Sequence, residues 1–297
     1  MIKKGDIVEI IAPASYHSAN DLLKAQKTIK SWGLVTRTFI DFDSFHPFHS
    51  DEDEARFEDL KRALYSPDST LIWCLRGGYG SARLIEKLSK LKKPKKEKIF
   101  IGYSDITSLH IFLNQKWGWK TIHGPMISSF GNPDFKKSSL NEIKKVIFEK
   151  SYTQKIKLIP MNEEAQKLKK IQGALCGGNL SVIQLSIGTP SKLVTNGKIL
   201  ILEDVGERGY KVDKMLNHLQ NANVLKGCRG IILGEFTGGH EASGESYVDF
   251  ALMRFALELK VPVYKTEVFG HGKINRPLLF NEKKYTKIEK SFLVIKN

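Results

Sequence analysis

The chain reads as an α/β protein, with an amino-terminal parallel-sheet domain followed by a smaller, mixed α/β domain. Three observations predict this. Apolar runs of strand length alternate with segments of helical period. The runs are apolar on both faces, as strands of a covered parallel sheet are. The alternation fades near residue 149 and restarts near 173, and 297 residues suit about two domains.

Ile7 to Ala12 (IVEIIA) reads as the first strand, and Ala19 to Trp32 as a helix whose apolar face carries Leu22, Leu23, Ala25, Ile29 and Trp32. A strand follows around Leu34 to Ile40, then a helix near Glu52 to Leu64. Thr70 to Leu75 (TLIWCL) is a buried strand ended by glycines. Ser81 to Leu91 resumes a helix, Lys98 to Gly102 (KIFIG) is another strand, and Ser104 to Gln115 is the next helix. These residues, 1–149, form the first domain. Residues 150–172 are polar and lysine-rich around Pro160 and read as a linker. Residues 173–297 form the second domain: a glycine-rich restart at Gly173 to Gly178, helices at Asn179 to Ile187, Tyr210 to Leu219 and Tyr247 to Leu259, and strands at Lys198 to Glu203, Gly230 to Phe236, Val263 to Val268 and Phe292 to Ile295. No internal repeat is present.

Hydrophobic residues make up 41% and charged residues 27%, the usage of a folded globular chain rather than a disordered, collagen-like or disulfide-scaffold one. The apolar runs fall short of the roughly 18 residues that a membrane helix needs. Asp6 and Glu9 interrupt the stretch after Lys3 and Lys4, against a secretory leader, so a cytoplasmic protein is expected. Cys74, Cys176 and Cys228 lack zinc or redox spacing, which fits a reducing compartment. Lys and Arg outnumber Asp and Glu by 47 to 32, a formal charge of +15 that attracts nucleic acid, anionic lipid or an acidic small substrate. The lysine run Lys90 to Lys98 has no interleaved aromatic rings to stack on bases, and a solvated lysine surface accounts for it.

Ligands bind at the carboxyl ends of strands in open parallel sheets, so strand ends are the places for chemistry. After Leu75 comes Arg76-Gly77-Gly78-Tyr79-Gly80, where glycine backbone can approach a ligand and amides can hold an anion or oxyanion. After Ile101 comes Gly102-Tyr103-Ser104-Asp105 at a strand-to-helix turn. Such a turn presents a serine hydroxyl as nucleophile and the following amide to an attacked carbonyl oxygen. A helix N-cap is the competing role for Ser104 and Asp105. A serine nucleophile needs a base and an orienting carboxylate. Glu203 and Asp204 end a buried run, with Glu207 close behind, and His271 follows another run. His123, His110 and His240 compete with His271, and residue pattern alone does not separate His271 from His123.

The segments Ile11-Ala12-Pro13-Ala14-Ser15, Arg76 to Gly80, Gly102 to Asp105, His123-Gly124-Pro125, Gly177-Gly178-Asn179-Leu180, Leu202-Glu203-Asp204 with Tyr210 and Asp213 to Leu216, and Gly270-His271 occur in one order across the chain. In them the chain resembles the LD-carboxypeptidases, serine peptidases that include muramoyltetrapeptide carboxypeptidase and the microcin-C immunity peptidases. The resemblance implies a flavodoxin or class I amidotransferase type of amino-terminal domain and a Ser-Glu-His triad. Ser104 is then the nucleophile, His271 the base and acid, and Glu203 the orienting carboxylate. It implies an oxyanion hole from the amides of Asp105 and of Gly77 or Gly78; beside that loop, Arg76 and Tyr79 are the expected substrate contacts, with bonding to loop carbonyls the competing role for Arg76. It further implies a homodimer without metal or organic cofactor, acting on a murein-derived tetrapeptide to release terminal D-alanine, with no nucleic acid or membrane as partner. The alternative substrate is an aminoacyl or peptidyl nucleotide, for which Trp117, Trp119 and Phe236 are candidate base-stacking aromatics. Lys273 to Phe280 departs from the family pattern by lacking a glycine at its end and carrying Arg276, which bears on the loop beside His271.

Overall fold

Strand-length apolar runs become parallel strands because their two faces are both covered, and the computed structural model shows this in each of two units, Met1–Lys150 and Ser151–Asn297. It describes residues 2–16, 18–44 and 46–296.

The first unit carries β1 (Ile7–Ile11), α1 (Ala19–Ser31), β2 (Val35–Thr38), α2 (Asp53–Tyr65), β3 (Ser69–Cys74), α3 (Ile85–Ser89), β4 (Ile99–Gly102), α4 (Thr107–Phe112), β5 (Thr121–His123) and α5 (Lys137–Phe148). Its five strands are parallel in the order β2-β1-β3-β4-β5. Successive strand residues face opposite ways, so Ile72 and Cys74 join the core with α2, α3 and α4, while Trp73 turns to the other face. There it meets Trp32, which follows α1, and Phe130, at ring separations of 6.2 and 5.3 Å. Lys98, at the end of the lysine run expected to be solvated, is buried. Its ammonium donates to the Ala63 carbonyl at 2.5 Å and to Ser69 Oγ at 2.6 Å, and burial lowers its pKa to about 8.

The second unit begins inside the expected linker. Residues 150–172 form β6 (Thr153–Lys157), β7 (Ile159–Pro160), α6 (Glu163–Lys167) and β8 (Lys170–Gln172), and the rest supplies β9 (Leu175–Asn179), α7 (Leu180–Leu185), β10 (Ile199–Val205), α8 (Gly209–Asn221), β11 (Gly230–Thr237), α9 (Val248–Glu258), β12 (Val263–Lys265), β13 (Leu278–Phe280), β14 (Lys287–Glu289) and β15 (Phe292–Lys296). The correction has a physical reason. In β6 the lysines lie on one face and Gln154 and Ile156 are buried on the other, so a polar composition conceals a one-sided strand. The second unit is therefore close to the first in length.

Strands β13-β9-β10-β11-β12 run in that order as a parallel sheet, with β7 antiparallel on β12. Strands β6-β15-β14-β8 form a separate antiparallel sheet. Ile156, Ile171, Ile288, Leu293 and Ile295 from the small sheet share one core with Ile199, Ile201 and Ile232 of the large one. The larger sheet brings the ends of β10 and β11 side by side, and that end carries the acidic residues of the site.

Candidate active site

In the first unit the chain leaves β4 through Tyr103 and enters Ser104 with φ 62°, a left-handed backbone that non-glycine residues seldom adopt. An N-cap has extended backbone geometry, so this conformation speaks against the capping role for Ser104. The residue in the cap position is Tyr103, φ −155°, without a side-chain cap bond. Just before it the Gly102 carbonyl accepts from Gly124 N–H at 3.1 Å and from His110 Nε2 at 2.9 Å. With its other ring nitrogen against Thr121 Oγ1 at 2.8 Å, His110 is a brace. Burial drives its pKa down to about 3, so the ring is too weakly basic, and both its nitrogens are too fully engaged, for it to take a serine proton.

The glycine loop lies against this serine. A Cβ on Gly77 would stand 2.9 Å from Ser104 Cβ, 3.1 Å from its Oγ and 3.4 Å from the Asp105 nitrogen. Gly78, φ +102°, presses instead on Ser15, whose Oγ accepts from Tyr79 N–H at 3.1 Å. Asp105 fastens the two segments together. Its buried carboxylate accepts from Ser81 N–H at 2.8 Å, and Ser81 Oγ donates to the Asp105 carbonyl at 2.6 Å. Burial raises the Asp105 pKa, and hydrogen bonds from Ser81 and Gly80 oppose the rise. So Asp105 does cap a helical turn, but that of Ser81 rather than its own. Arg76 is exposed, donates to the Tyr16 carbonyl at 3.0 Å, and has no carboxylate partner among the described residues. Tyr79 is half exposed, its ring 4.9 Å from that of His49.

In the second unit β10 delivers Glu203, fully buried, and the turn after β12 delivers His271, whose Nδ1 donates to Glu203 Oε2 at 2.6 Å. Burial lowers the imidazole pKa, and the Glu203 charge and hydrogen bond, joined by Asp204 and Glu235, outweigh it and raise the pKa above the ordinary 6.5. The rival carboxylates are occupied elsewhere. Asp204 accepts from Ser181 N–H at 2.9 Å, Ser181 Oγ at 2.7 Å and Asn179 Nδ2 at 3.2 Å, which caps α7, and burial raises its pKa. Glu207 lies 3.5 Å from Lys211. His123 is buried in β5 and His240 is exposed on a loop. Trp117 and Trp119 belong to the core of the first unit, which removes them as base-stacking platforms; Phe236 is half-buried.

The departing segment after His271 is an irregular loop, held back by Arg276 N–H on the Val268 carbonyl at 2.7 Å and by its guanidinium on the Lys155 carbonyl at 3.0 Å. The structure adds one residue to those the sequence points to. Glu235 of β11 accepts Gly272 N–H at 3.0 Å, beside His271. Its signal was an acid at the end of the apolar run Gly230 to Phe236, in the strand next to that of Glu203.

Comparison with known proteins places both units in one family. Residues 8–124 match the LD-carboxypeptidase N-terminal domain and residues 172–284 the LD-carboxypeptidase C-terminal domain. A putative carboxypeptidase of Rickettsia conorii is 41% identical over 275 residues, covering 92% of this chain and 85% of that protein. A probable murein peptide carboxypeptidase of Bacillus subtilis is 34% identical over 236 residues, 79% of this chain and 73% of that one. Among solved structures, muramoyltetrapeptide carboxypeptidase from Oxalobacter formigenes superposes with TM-score 0.80 at 27% identity, over 98% of each chain. The microcin C7 self immunity protein MccF in complex with aspartyl sulfamoyl adenosine reaches TM-score 0.85 at 20% identity, over 100% of this chain and 97% of that one, a likeness of fold.

Proposed function

The chain belongs to the LD-carboxypeptidase family, and on that premise we propose that it is a serine L,D-carboxypeptidase that releases the terminal D-alanine of murein tetrapeptides in cell-wall recycling. In this reading Ser104 is the nucleophile, His271 its general base and acid, and Glu203 the carboxylate that orients the imidazole. The observation that carries it is the backbone of Ser104: a serine held at φ 62° at a strand end, with glycine backbone against its hydroxyl, suits a nucleophile and not a cap.

With Nδ1 committed to Glu203, Nε2 of His271 takes the Ser104 proton as Oγ attacks the carbonyl on the L-centre of the diamino acid. The oxyanion is held by the amides of Asp105 and, given its position against Ser104, Gly77. Nε2 then protonates the departing D-alanine nitrogen, and water, deprotonated by the same nitrogen, hydrolyses the acyl-enzyme. Arg76, exposed and without a carboxylate partner among the described residues, suits a substrate carboxylate, with Tyr79 beside it. The same reading makes the protein a cytoplasmic homodimer that acts without metal or organic cofactor. No helix among the described residues is long and apolar enough to cross a membrane.

The test is D-alanine release from L-Ala-γ-D-Glu-diaminopimelate-D-Ala by the intact protein, Ser104→Ala and His271→Ala. The expected result is release by the intact protein, with losses of about 10⁴-fold or more in both variants. Inertness of the intact protein on this peptide together with Ser104-dependent cleavage of an aminoacyl sulfamoyl adenosine would move the substrate to the nucleotide class. Inertness on both would count against the peptidase reading and favour a cleft that binds its ligand without cleaving it.

A further inference from the structure

We propose that Glu235 is a positioning residue for His271: it clamps the loop that carries the imidazole and places a second carboxylate beside it. The inference rests on His271 serving as the base of the proposed reaction. Glu235 grips that loop twice. Its own N–H donates to the Phe269 carbonyl at 2.9 Å, and its side-chain Oε2 accepts from Gly272 N–H at 3.0 Å. The two bonds bracket residues 269–272, with His271 between them. The preceding residue seats the same loop, because a Cβ on Gly234 would fall 2.3 Å from the ring of the buried Phe269.

Gly272 shows how closely the carboxylate is fitted. A Cβ there would lie 2.0 and 2.1 Å from the two Glu235 carboxylate oxygens. Gly272 is not among the positive-φ residues, so its backbone suits any amino acid, and it is the carboxylate that excludes a side chain. A glycine that gives up stiffness beside a general base, only to admit a carboxylate, fits a positioning role. A half-buried acid whose one need was solvation would require no such space.

Four acids make up the charged surroundings. Glu203 and Asp204 of β10 and Glu235 of β11 all act on His271, and Glu267, after β12, acts on Glu235. Burial raises the Glu235 pKa, the Gly272 hydrogen bond opposes this, Glu267 and Glu203 add to the rise, and His271 counters it. Each carboxylate facing the imidazole favours its protonated form, the form that develops when Ser104 gives up its proton.

The first measurement is the NMR titration of the His271 imidazole in the full chain without substrate, its signal assigned by its loss in His271→Ala. Glu235→Gln keeps an oxygen for the Gly272 amide and removes the charge, so the midpoint should fall to lower pH. A midpoint equal to that of the parent overturns the proposal. The second is the pH profile of tetrapeptide cleavage. Glu235→Gln should lower the plateau a few-fold, because one charge that favours the developing imidazolium is gone, while the acid limb of kcat/KM moves to lower pH. Gly272→Ala, which must push the carboxylate aside, should lose about 10- to 100-fold in kcat/KM. That loss should be smaller when Ala is placed in a Glu235→Ala background, and equal activity of Gly272→Ala and the parent would also overturn the proposal. Should Glu235→Ala not fold, Glu235→Gln and Gly272→Ala still decide. A protein inert on the peptide whose His271 midpoint still falls in Glu235→Gln refutes the substrate and leaves the clamp standing.

Discussion

His271 Nδ1 and Glu203 Oε2 are joined across 2.6 Å, from a ring with 16% of its side chain in solvent to a carboxylate with none. The bond fixes which ring nitrogen carries the proton, and the buried charge favours the imidazolium over the neutral ring. A general base must be neutral, so activity is expected to fall as pH drops through the raised His271 pKa. With His271 as the proposed base, the acid limb of kcat/KM is therefore expected above the imidazole's ordinary 6.5. Glu203→Gln removes the charge and the tautomer lock together. Its expected outcome is a loss of about 10⁴-fold in kcat, with the residual limb displaced to lower pH. A variant within tenfold of the parent at all pH values would make the pair a structural one.

Gly77 and Gly78 are adjacent but should fail in different ways. Gly77 has no left-handed backbone, so Gly77→Ala folds, yet its Cβ collides with Ser104 at 2.9 Å from Cβ and 3.1 Å from Oγ. The expected outcome is a loss of about 10²-fold in kcat with a smaller fall in the melting transition than Gly78→Ala shows. Gly78→Ala meets Ser15 Oγ at 2.2 Å and sits at φ +102°, so it should lower stability by about 1–3 kcal/mol. Melting curves beside turnover numbers separate the two. A Gly77→Ala variant with full activity would show that the serine turn yields to the added methyl, so that the close approach of Gly77 to Ser104 is not needed for turnover.

The parallel strands were legible because burial on both faces leaves an unbroken apolar run, as in β3, β4, β10 and β11. What escaped has physical causes. Strand β6 hides under lysines on its outer face, and β9 (LCGGN) carries two glycines, which have low strand propensity. Helix α5 buries Ile143 and Ile147 among lysines and serines, which blur its apolar face. Ser104 to Gln115, read as one helix, is a 3-10 turn, then α4, then a wider turn, because the chain enters it from a left-handed serine and leaves it at Gly118. At the site, strand-end placement found Ser104, Glu203 and His271 as candidates. Family likeness was needed to set His271 above His123 and Glu203 above Asp204, because a sequence does not reveal that Asp204 turns to Ser181 while its neighbour meets the histidine.

Asp105 ties the serine turn to the glycine loop, and its loss should reach both stability and rate. Asp105→Ala leaves the Ser81 amide without its acceptor in a buried position, at a cost of about 1–3 kcal/mol. The Asp105 amide itself remains, so any fall in kcat reports movement of the loop rather than loss of a donor. Asp105→Asn keeps an acceptor oxygen and should recover most of the stability and the rate. Denaturant titration and steady-state kinetics of the two variants check this, and equal damage from both would put the effect in the charge instead of the bond.

A left-handed serine also stores strain, and two inactive variants can read it. Ser104→Ala and Ser104→Gly both lack the hydroxyl and should both lose at least about 10⁴-fold in turnover. They differ in backbone preference. Alanine at φ 62° carries the same Cβ conflict as serine, whereas glycine adopts that region freely. Ser104→Gly should therefore be about 1 kcal/mol more stable than Ser104→Ala, despite the greater entropy that glycine gains on unfolding. A chemical denaturation series on the two variants and the parent gives the comparison. If Ser104→Ala were the more stable of the pair, the turn would be relaxed, and the strained presentation of a hydroxyl, on which the nucleophile assignment leans, would lose its support.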